Sequence, residues 1–533
     1  MDETRRVLGI DLGTTYSCVA QVDEHDKAVV LKNFEDKNIT PSAVYFGNND
    51  EVLVGEPAKE YSKLEPENTV TFIKRQMSRD EAFEKPTKFP KGLTPTEISA
   101  YILKKIVKDV NDKGQYPEPI KKVVITCPAY FGEKERMRTK QAGEIAGLDV
   151  LAIINEPTAA AISYGQEKKE GEKNILVYDL GGGTFDVTLI KVNGGTITVI
   201  ATDGSSGLGG YNWDKELAKH LLSEYNRLKG SQYEMEEGTA LFNEMMFFAE
   251  EQKKRLTAKK DKDSALSALL TLKGDTAKIE ITRATFDSMT SVLLDETIEK
   301  MHDVLNVGKE KGFSKVDEVL LVGGSCYMQQ IKERVDVELG CDAKLNDPNE
   351  CVAKGAAILA LNKSISIAET EYYIGERDEK PQGLAPSTRI NPTNVTSKNY
   401  GIGLKGGKVK NLILSNSPLN GNCRKEDDNF CVPPDFRSGE SLSFKVYESN
   451  NRTTEIYDNE MATLLEEHSL KVPDICKAGD PVKVVFEIDT EGFLHVHGDV
   501  LGTTIDFDLK LPGVMNKAEL EIAKAMLASS KLE

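Results

Sequence analysis

The chain has 533 residues, of which 39% are hydrophobic and 29% charged, and its formal net charge at pH 7 is −18. This length is enough for about two to four domains with sizeable cores, and the composition is ordinary for a globular protein. Acidic and basic residues are mixed along the chain, which argues against nucleic acid as a partner because phosphate backbones are bound by basic patches.

Membrane association is not expected, because no apolar run approaches the length of a membrane-spanning helix. The first residues, Met-Asp-Glu-Thr-Arg-Arg, lead into a strand without the apolar core of a signal peptide. The eight cysteines show no C-x-x-C pair and no His/Cys ligand spacing, which favours free thiols in a reducing compartment and a cytoplasmic location. Cys423 and Cys431 bracket a short acidic stretch and could pair on oxidation.

The first predicted element is a β-hairpin over residues 7–19. An apolar strand ends at Asp11, a turn of small residues follows, and a second apolar strand resumes. The turn and the start of the second strand contain Gly13, Thr14, Thr15 and Tyr16.

Helices and strands alternate from residue 94 onward, which predicts an α/β sheet. The helix over 94–113 opens on Thr-Pro-Thr-Glu, which supplies a threonine cap, a proline at the first helical position and a glutamate at the third. Strands are predicted over 123–126 and 150–154, with a helix over 133–146 between them and another that opens at Asn-Glu156-Pro.

The clearest functional motif lies at residues 175–190, where an apolar strand ends in Asp179 and a second strand begins around Asp186. The turn between them is Gly181, Gly182, Gly183 and Thr184. Bare glycine backbone can approach an anion closely and turn its N–H groups toward it. A carboxylate beside a bound phosphate is repelled unless a cation sits between them, so the motif predicts a magnesium nucleotide held through water.

The N-terminal and central hairpins share one plan, which predicts two similar half-structures that face each other and each offer a turn to one nucleotide. A third fragment, 318–325, runs from an apolar strand into Gly323, Gly324 and Ser325. Backbone N–H groups at such a helix start can meet ribose or phosphate, although an ordinary strand-to-helix turn has the same pattern.

Farther along, the glycine-rich stretch 207–214 precedes a series of helical segments. A helix over 249–257 places Glu250, Lys253 and Thr257 on one face. A helix with such charges is by itself typical of a solvated surface.

The composition changes after a helix over 351–360. Residues 363–394 are polar and charged, contain several prolines and have no clean period, which predicts a linker or an irregular segment. From residue 395 short alternating runs and turns predict an antiparallel β-sandwich. Residues 516–531 predict one short amphipathic helix.

Five motifs together give the sequence a family resemblance. They are Ile10 to Thr15, Cys127 to Phe131, Asn155 to Ala161, Asp179 to Asp186, and Val322 to Ser325. Their wording closely resembles that of the 70-kDa heat-shock protein chaperones, the DnaK-like family, whereas actin-like proteins and sugar kinases share the signatures in looser form. The resemblance covers most of residues 5–362 and resumes from about 395 to 512.

The resemblance implies a fold class. An α/β actin-like ATPase domain of two pseudo-repeated lobes around a cleft would be followed by an all-β antiparallel sandwich and a short C-terminal helix. The implied domains are the nucleotide-binding ATPase domain at 1–362, the linker at 363–394, the peptide-binding sandwich at 395–512, and a truncated lid at 513–533.

The resemblance also implies site residues. The catalytic set would be Lys74, Asp11, Asp179, Glu156, Thr184 and Asp186, with Asp11 and Asp179 holding the metal through water. The nucleotide would contact Gly13, Thr14, Thr15, Tyr16, Gly181, Gly182, Gly183, Gly209, Gly210, Glu250, Lys253, Thr257, Gly323, Gly324 and Ser325. Lys74, which on position alone is a solvated charge, would point at the terminal phosphate and neutralise charge that develops there.

For the sandwich, the resemblance implies that Ile402, Leu442 and Phe444 contact bound peptide, and plain sandwich core is the alternative interpretation of these three. Lys405 stands where the family usually has an apolar residue arching over the groove. The groove is therefore predicted to be more open or to take different ligands.

Two other departures concern the ATPase. Lys254 and Tyr327 occupy positions where the family often stacks arginines on adenine. Residues 389–394 contain one large apolar residue and a proline where the family has a docking run of leucines. A docking strand needs apolar anchors and free N–H groups, so this is the departure that most threatens normal coupling between the two domains.

The predicted function is that of an ATP-dependent molecular chaperone, in which slow in-line hydrolysis of Mg-ATP is coupled to the binding of extended hydrophobic peptides. The implied cofactors are ATP or ADP and Mg²⁺, and the implied partners are unfolded peptide segments, a J-domain co-chaperone and a nucleotide-exchange factor. Three alternatives are open: an ATP-binding regulatory or sensor protein that holds a dedicated partner, a small-molecule kinase, and a filament-forming actin relative.

Overall fold

The computed structural model describes residues 3–83, 86, 88, 92–114, 116, 118–167, 171–193, 195–259, 261–313, 315–374, 381, 390–419, 423–449, 456–488, 494–509 and 514–532. The helices are α1 (Glu56–Tyr61), α2 (Pro95–Gly114), α3 (Glu133–Ile145), α4 (Glu156–Glu167), α5 (Gly210–Lys229), α6 (Ala240–Thr257), α7 (Arg283–Met289), α8 (Ser291–Glu310), α9 (Gln329–Leu339), α10 (Cys351–Tyr373) and α11 (Lys517–Ser529). Short 3-10 helices lie at Glu3–Arg5, Pro66–Asn68, Ile73–Gln76, Gly324–Tyr327 and Asn459–Met461.

Within the described residues the strands fall into six sheets. The first group is β1 (Val7–Asp11), β2 (Tyr16–Val22), β3 (Ala28–Leu31), β4 (Ile39–Pro41), β5 (Val44–Phe46), β6 (Glu51–Val54), β7 (Thr69–Val70), β8 (Lys122–Cys127) and β9 (Asp149–Asn155). The second group is β10 (Glu172–Leu180), β11 (Phe185–Asn193), β12 (Thr196–Ser205), β13 (Leu266–Leu272), β14 (Asp275–Ile281), β15 (Glu318–Val322), β16 (Lys344–Leu345) and β17 (Asn391–Thr393). The third group is β18 (Asn399–Leu404), β19 (Lys408–Ile413), β20 (Cys423–Cys431), β21 (Ser441–Ser449), β22 (Ile456–Asp458), β23 (Thr463–Lys471), β24 (Pro481–Ile488), β25 (Leu494–Val500), β26 (Thr503–Asp508) and β27 (Lys531–Leu532).

Two sheets with the same connectivity form the centres of two lobes. In lobe I the order is β3-β2-β1-β8-β9, and in lobe II it is β12-β11-β10-β15-β16, continued at the β12 edge by β17. In both sheets the first three strands in sequence pair antiparallel, a further strand (β8 or β15) pairs in parallel with the first, and the last (β9 or β16) pairs in parallel with that one. The predicted repeat of half-structures and the predicted fold class are confirmed.

Helices α4 and α10 pack between these sheets, where glycine permits very close approach. A Cβ atom on Gly355 would lie 1.7 Å from the carbonyl oxygen of Ala159, and one on Gly9 would lie 1.9 Å from the backbone nitrogen of Ala357. Helix α10 is long and apolar enough for a membrane span, contrary to the expectation from sequence. However, 72% of its most apolar window is buried inside the protein, as in a core helix.

The predicted start of α2 is confirmed. The Thr94 hydroxyl accepts from the backbone N–H of Glu97 at 3.3 Å, and the Glu97 carboxylate accepts from the backbone N–H of Thr94 at 2.9 Å. This reciprocal capping satisfies two N–H groups that a helix start otherwise leaves unpaired, and Pro95 occupies the first helical position.

The later strands form the predicted sandwich. A five-stranded sheet, β22-β19-β18-β21-β23, faces a four-stranded sheet, β20-β24-β25-β26, and one apolar core fills the space between them. Both Cys423 and Cys431 lie on β20, at its two ends. A strand of this length separates them by about 25 Å, whereas a disulfide joins Cα atoms within about 7 Å, so the proposed pairing is wrong.

The segment between the two lobes and the sandwich differs from the prediction. Helix α10 continues to Tyr373, so an irregular chain is wrong for residues 363–373. Residues 375–380 and 382–389 lie outside the described part of the chain. Strand β17 pairs in parallel with the start of β12, so this segment extends the lobe II sheet although it lacks the family's run of leucines. Pro392 is tolerated there because β17 is an edge strand, which leaves one row of N–H positions unpaired.

The C-terminal segment packs on lobe I. Helix α11 begins after Asn516, as predicted, and buries Ala523 and Leu527 in the core that contains α2. The Gln141 side chain on α3 both donates to and accepts from the backbone of Met515, at 2.6 and 2.9 Å. Strand β27 then pairs in parallel with β6.

Candidate functional site

A cavity of about 1050 Å³ lies between the two lobes. Most of the residues that the sequence predicts for the site line it, namely Asp11, Gly13, Thr14, Thr15, Tyr16, Lys74, Glu156, Asp179, Gly181, Gly182, Thr184, Gly210, Glu250, Lys253, Thr257, Gly323, Gly324 and Ser325. The predicted residues outside this lining are Gly183, Gly209 and Asp186. The fold therefore brings residues from distant parts of the sequence to one cleft.

The turns of the two central hairpins meet across this cleft. A Cβ atom on Gly182 would lie 1.9 Å from the Thr15 hydroxyl, and one on Gly183 would lie 2.3 Å from the Thr14 methyl group. Such spacing requires glycine in the lobe II turn. The lobe I turn is fixed from behind, since the Ser42 hydroxyl donates to the carbonyl of Gly13 at 2.7 Å.

The glycine-rich stretch before α5 closes over the lobe II turn. The backbone N–H of Gly210 donates to the carbonyl of Gly181 at 3.0 Å, and that of Tyr211 donates to the carbonyl of Gly182 at 2.7 Å. A Cβ atom on Gly209 would lie 2.5 Å from the backbone of Gly183. Gly183 and Gly209 thus support the cavity wall from outside.

Carboxylates are concentrated at the floor of the cleft. Burial, and next the Glu156 carboxylate, raise the pKa of Asp11 to about 7. The same two causes raise the pKa of Asp179 well above its ordinary value. Without a cation in the cleft, Asp11 is therefore poised to be protonated near neutral pH, and loss of the Asp179 proton is disfavoured for the same reasons.

The ammonium of Lys74 contacts the carboxylate of Glu156 at this floor, and both side chains are almost fully buried. Burial opposes a charge on Lys74, but the neighbouring carboxylates of Glu156 and Asp11 outweigh it and raise the lysine pKa. Lys74 is therefore charged, which excludes the interpretation of a solvated surface lysine.

Asp186 lies directly opposite Asp179 in the β10–β11 register. Its carboxylate accepts from the backbone N–H of Ala129 at 2.9 Å. Burial, and next the Glu156 charge, raise its pKa well above the ordinary value. This residue thus links the lobe II hairpin to the segment after β8 in lobe I.

The opposite end of the cleft is bridged by charges from both lobes. The Lys59 ammonium on α1 lies 2.9 Å from the Glu250 carboxylate on α6 and donates to the Tyr16 hydroxyl at 2.9 Å. Lys254 adds a second ammonium 2.7 Å from Glu250. Burial alone would raise the pKa of Glu250, but these two lysines lower it to about 2. The bridge therefore consists of full charges at neutral pH.

The other predicted residues of α6, Lys253 and Thr257, stabilise the wall of the cleft. Lys253 lies 2.8 Å from the buried carboxylate of Asp214 and donates to the carbonyl of Gly210 at 3.1 Å. The Thr257 hydroxyl donates to the carbonyl of Lys253 one turn earlier, at 3.0 Å. These contacts fix α6 against α5 beside the glycine-rich loop.

The third predicted fragment also reaches the site. Gly323 has φ +83°, and a Cβ atom there would lie 2.3 Å from the carbonyl oxygen of Leu180, so this position requires glycine. The Ser325 hydroxyl donates to the carbonyl of Gly181 at 2.8 Å. Tyr327, which is 45% exposed, lines the cavity, as does Lys254 of α6.

The donors present fit a magnesium nucleotide. The Thr15 hydroxyl oxygen is buried and has no hydrogen-bond partner among the described residues, as expected of a group that awaits a ligand. Three carboxylates, those of Asp11, Asp179 and Glu156, surround the Lys74 ammonium. Carboxylate oxygens are the kind of ligand that Mg²⁺ prefers. Among the described residues no group of three or more His, Cys, Asp or Glu is arranged to hold a metal ion directly.

Sequence reasoning missed three residues that shape the site. Lys59 bridges the lobes, Ser42 holds the lobe I turn, and Asp214 fixes Lys253. Asp214 ends the glycine-rich stretch and could have been singled out by its position. No sequence pattern marks Lys59 or Ser42, because their roles arise from the packing of one lobe against the other.

The residues predicted for peptide contact lie within the sandwich core. Ile402, Leu442 and Phe444 are between 4% and 8% exposed and belong to the cluster between the two sheets. A Cβ atom on Gly498 would lie 2.5 Å from the Phe444 ring. These are positions of core side chains, and contact with a peptide by any of them stays a prediction.

Comparisons with known proteins bear on the identity of this site. A family model described as Hsp70 protein matches residues 7–532. The chain is 34% identical over 531 residues to the chaperone protein DnaK of Thermosipho africanus, covering 99% of this chain and 83% of that protein. It is 35% identical over 529 residues to the proteins of the same name from Thermotoga neapolitana and Thermotoga maritima, covering 98% of this chain and 83% of each relative. The names of these relatives favour the chaperone over the regulatory protein, the kinase and the filament.

Proposed function

The chain belongs to the Hsp70 family of ATP-dependent chaperones, which are ATPases, and from this premise we propose how its own residues carry out nucleotide binding, hydrolysis and coupling. The observation that carries the proposal is the convergence of two glycine and threonine turns, one from each lobe, on a floor of buried carboxylates and one lysine.

In the proposed site, the nucleotide phosphates lie against the two turns. Backbone N–H groups near Gly13 and Gly182, together with the hydroxyls of Thr14, Thr15 and Thr184, donate to phosphate oxygens. The Thr15 hydroxyl supports this assignment, because a ligand oxygen would supply the hydrogen-bond partner that it lacks among the described residues.

Asp11 and Asp179 would hold the water shell of Mg²⁺, and they bind it as carboxylates after losing their protons. A Mg²⁺ ion bound there would neutralise negative charge on the nucleotide phosphates. Their raised pKa values support this role, since a cation replaces the protons that otherwise relieve the repulsion in the cleft.

Hydrolysis would follow in-line attack of water on the γ-phosphorus. A bond forms between the water oxygen and phosphorus, the bond from phosphorus to the bridging oxygen of ADP breaks, and phosphate and ADP leave. Glu156 and Asp186 would orient the water, and Lys74 would stabilise the charge on the transferring group. Lys74 is held for this task by its contact with Glu156.

The nucleoside would lie at the α6 end of the cleft. Glu250, Lys253 and Ser325 offer polar contacts to the ribose, and the Tyr327 ring offers a stacking surface to the base. The wall there combines Tyr327 with Lys254, so the base would be held by one aromatic ring and one lysine stem.

Coupling to the sandwich would pass through three contacts with the ATPase lobes. Strand β17 extends the lobe II sheet, the Ser397 hydroxyl donates to the carbonyl of Phe131 at 2.7 Å, and the Asn416 amide oxygen accepts from the backbone N–H of Thr202 at 2.8 Å. Movement of either lobe on nucleotide binding would therefore change the position of the sandwich or its contacts with the lobes. Peptide in the sandwich would act on the lobes in return, because such coupling is reciprocal.

The same proposal includes the finer assignments. The domains are 1–362, 363–394, 395–512 and 513–533, with the linker region containing the end of α10 and β17. Extended hydrophobic peptides would be the ligands of the sandwich, a J-domain co-chaperone and a nucleotide-exchange factor would be partners, and the cytoplasm would be the location.

A steady-state ATPase assay tests the proposed function. The full chain is measured with MgATP, with and without an extended hydrophobic peptide, and beside a chain of residues 1–374, which keeps α10 whole. We expect slow hydrolysis in both and stimulation by peptide in the full chain alone. Absence of binding heat on titration with MgATP contradicts the nucleotide site, whereas hydrolysis without any stimulation contradicts the coupling.

A further inference from the structure

The sandwich contacts lobe I through a face that contains two opposed carboxylates. Glu448, near the end of β21, belongs to the sandwich, and Glu135, in the first turn of α3, belongs to lobe I. Between them lies Gly132, the residue that precedes α3.

The two carboxyl groups point at one place. A Cβ atom on Gly132 would lie 3.0 Å from Oε2 of Glu448 and 3.2 Å from Oε2 of Glu135. Both oxygens are buried, and neither has a hydrogen-bond partner among the described residues. Buried carboxylate oxygens without a donor are costly, and two like charges at such close range repel each other strongly.

The cations around this pair are engaged elsewhere as well. Lys134 pairs with Asp80, and Arg136 donates to the carbonyl of Phe131 at 3.3 Å. Lys398 lies on the sandwich side, with its Cγ 3.7 Å from a Cβ atom built on Gly132. With Lys134 it lowers the pKa of Glu448, but burial and the Glu135 charge outweigh both lysines.

The other titratable groups that face the pair do not relieve it. The Tyr400 ring on β18 is buried beside Glu448 and Glu133, which raise the tyrosine pKa further after burial itself. Tyr130 is buried next to the same segment, and its hydroxyl has no hydrogen-bond partner among the described residues. Both phenols are therefore neutral and add no positive charge.

We propose that Glu135 and Glu448 share one proton when the sandwich is docked on lobe I, and that docking is therefore pH-dependent. The shared proton converts a repulsion between two carboxylates into a hydrogen bond between a carboxylic acid and a carboxylate. A metal ion is a poorer occupant, because no group of three or more metal-ligating side chains lies there among the described residues.

The direction of the effect follows from the electrostatics. Burial, and next the Glu135 charge, raise the pKa of Glu448 from its ordinary 4.5 to about 7 in the docked arrangement. When the sandwich separates, Glu448 regains water and its ordinary pKa. Docking therefore takes up a proton, so it is strongest below pH 4.5, weakens as the pH rises toward 7, and levels off above that value.

Two natural cysteines allow the docking to be measured. Cys341 in lobe II and Cys431 in the sandwich are exposed, whereas the other six cysteines are buried. A donor and acceptor dye on these two thiols report energy transfer between the lobe and the sandwich. The full chain is titrated from pH 5.5 to 8.5 with a saturating non-hydrolysable ATP analogue and Mg²⁺.

We expect the docking constant of the wild-type chain to fall by as much as about tenfold per pH unit up to pH 7 and then to level. Glu448→Gln and Glu135→Gln each remove the repulsion and should lose most of this dependence, with docking at pH 8 about tenfold stronger than in wild type. Glu426→Gln, on the exposed face of β20, is the matched control and should follow wild type.

A wild-type docking constant that is flat from pH 5.5 to 8.5 overturns the proposal, as do glutamine variants that keep the wild-type slope. Docking at pH 8 that follows the concentration of free Mg²⁺ or Ca²⁺, and is lost in both variants, assigns the site to a metal and overturns it too. The dyes report docking with an analogue that is not hydrolysed, so failure of the proposed hydrolysis or peptide stimulation is seen separately.

Discussion

Lys74 and Glu156 contact each other at the floor of the interlobe cleft, although 81 residues separate them in the sequence and each belongs to a different element of lobe I. Lys74 lies in a 3-10 helix that follows Phe72, a residue with φ +56°, and Glu156 opens α4. The backbone at Phe72 is thus bent into an uncommon conformation immediately before the lysine. Both charges are buried, so each stabilises the other against the cost of losing water.

Replacement of Lys74 by alanine should abolish most hydrolysis while nucleotide binding persists. The ammonium is placed to stabilise charge on the transferring phosphate, and loss of one such group typically lowers kcat by about 10²- to 10³-fold. Single-turnover hydrolysis and equilibrium binding of a fluorescent ATP analogue separate the two effects.

The matched control for this variant is the double substitution Lys74→Ala with Glu156→Gln. Lys74→Ala alone leaves Glu156 buried without its cation, which should lower the free energy of unfolding by about 3–5 kcal/mol. The double variant should recover most of that stability but not the hydrolysis. Wild-type turnover in Lys74→Ala would refute the role of this lysine.

Binding of Mg-ADP should become tighter as the pH rises through about 7, because Asp11 must lose its proton to bind the ion's water shell. The free energy of unfolding of the apo protein should instead fall as the pH rises. A raised carboxyl pKa contributes stability at low pH that is lost as the pH rises through the folded-state value of about 7.

Calorimetry at pH 6.5 in two buffers of different ionisation enthalpy measures this linkage, and release of about one proton or more is expected on binding. Asp11→Asn cannot lose a proton and should show less release together with weaker binding. Identical heats in the two buffers would mean that Asp11 is already ionised in the free protein.

The site residues that lie in short local sequence motifs could be predicted from the sequence. Asp11, Asp179 and the glycines of both turns follow apolar strands, and the need for close backbone approach dictates glycine at Gly182 whatever surrounds it. Pairings across the cleft were not predictable, since the contact of Lys59 with Glu250 depends on how two lobes close and leaves no mark in local spacing.

The fold shows the same division. The repeat of two sheets follows from two similar strand patterns, and the sandwich follows from short alternating runs. The extension of α10 was missed because serine and isoleucine have modest helix propensity, yet Ile365 and Ala368 bury one face of that extension. The pairing of β17 was missed because an edge strand needs fewer apolar anchors than a segment buried on both sides.

Loss of the bridge between Lys59 and Glu250 should speed nucleotide release. Their side chains are 15% and 17% exposed, and they join α1 of lobe I to α6 of lobe II across the cleft. A pair that is partly screened by solvent contributes about 1 kcal/mol, so Glu250→Gln should raise the rate of ADP release by about fivefold. Stopped-flow displacement of a fluorescent ADP measures it. Glu60→Gln breaks a pair with Lys63 within lobe I and should leave the rate unchanged.

Lys311 should be needed for communication between the sandwich and lobe II. Its ammonium donates to the carbonyl of Ile200 at 2.6 Å and to the carbonyl of Asn416 at 2.7 Å, so it joins the two parts directly. Lys311→Met should leave basal hydrolysis intact and lower peptide stimulation by about two- to tenfold, within the usual range for such couplings. Lys309→Met, at an exposed position in the last turn of α8, two residues before Lys311, is the control. Equal stimulation in both variants would show that coupling does not pass through this contact.

Phe444→Ala decides between the two interpretations of the sandwich residues. The ring is 4% exposed and contacts Gly498 across the core, so its removal should cost the sandwich about 3–4 kcal/mol. The measurement is urea unfolding of the full chain, and the expected result is an earlier transition for the sandwich with an unchanged one for the ATPase lobes.

Leu464→Ala, at a position 44% exposed on β23, is the control and should change the free energy of unfolding by no more than about 0.5 kcal/mol. If Phe444→Ala instead unfolds like wild type and loses only peptide affinity, the ring belongs to the peptide groove, because a side chain that supports the core cannot be removed without loss of stability.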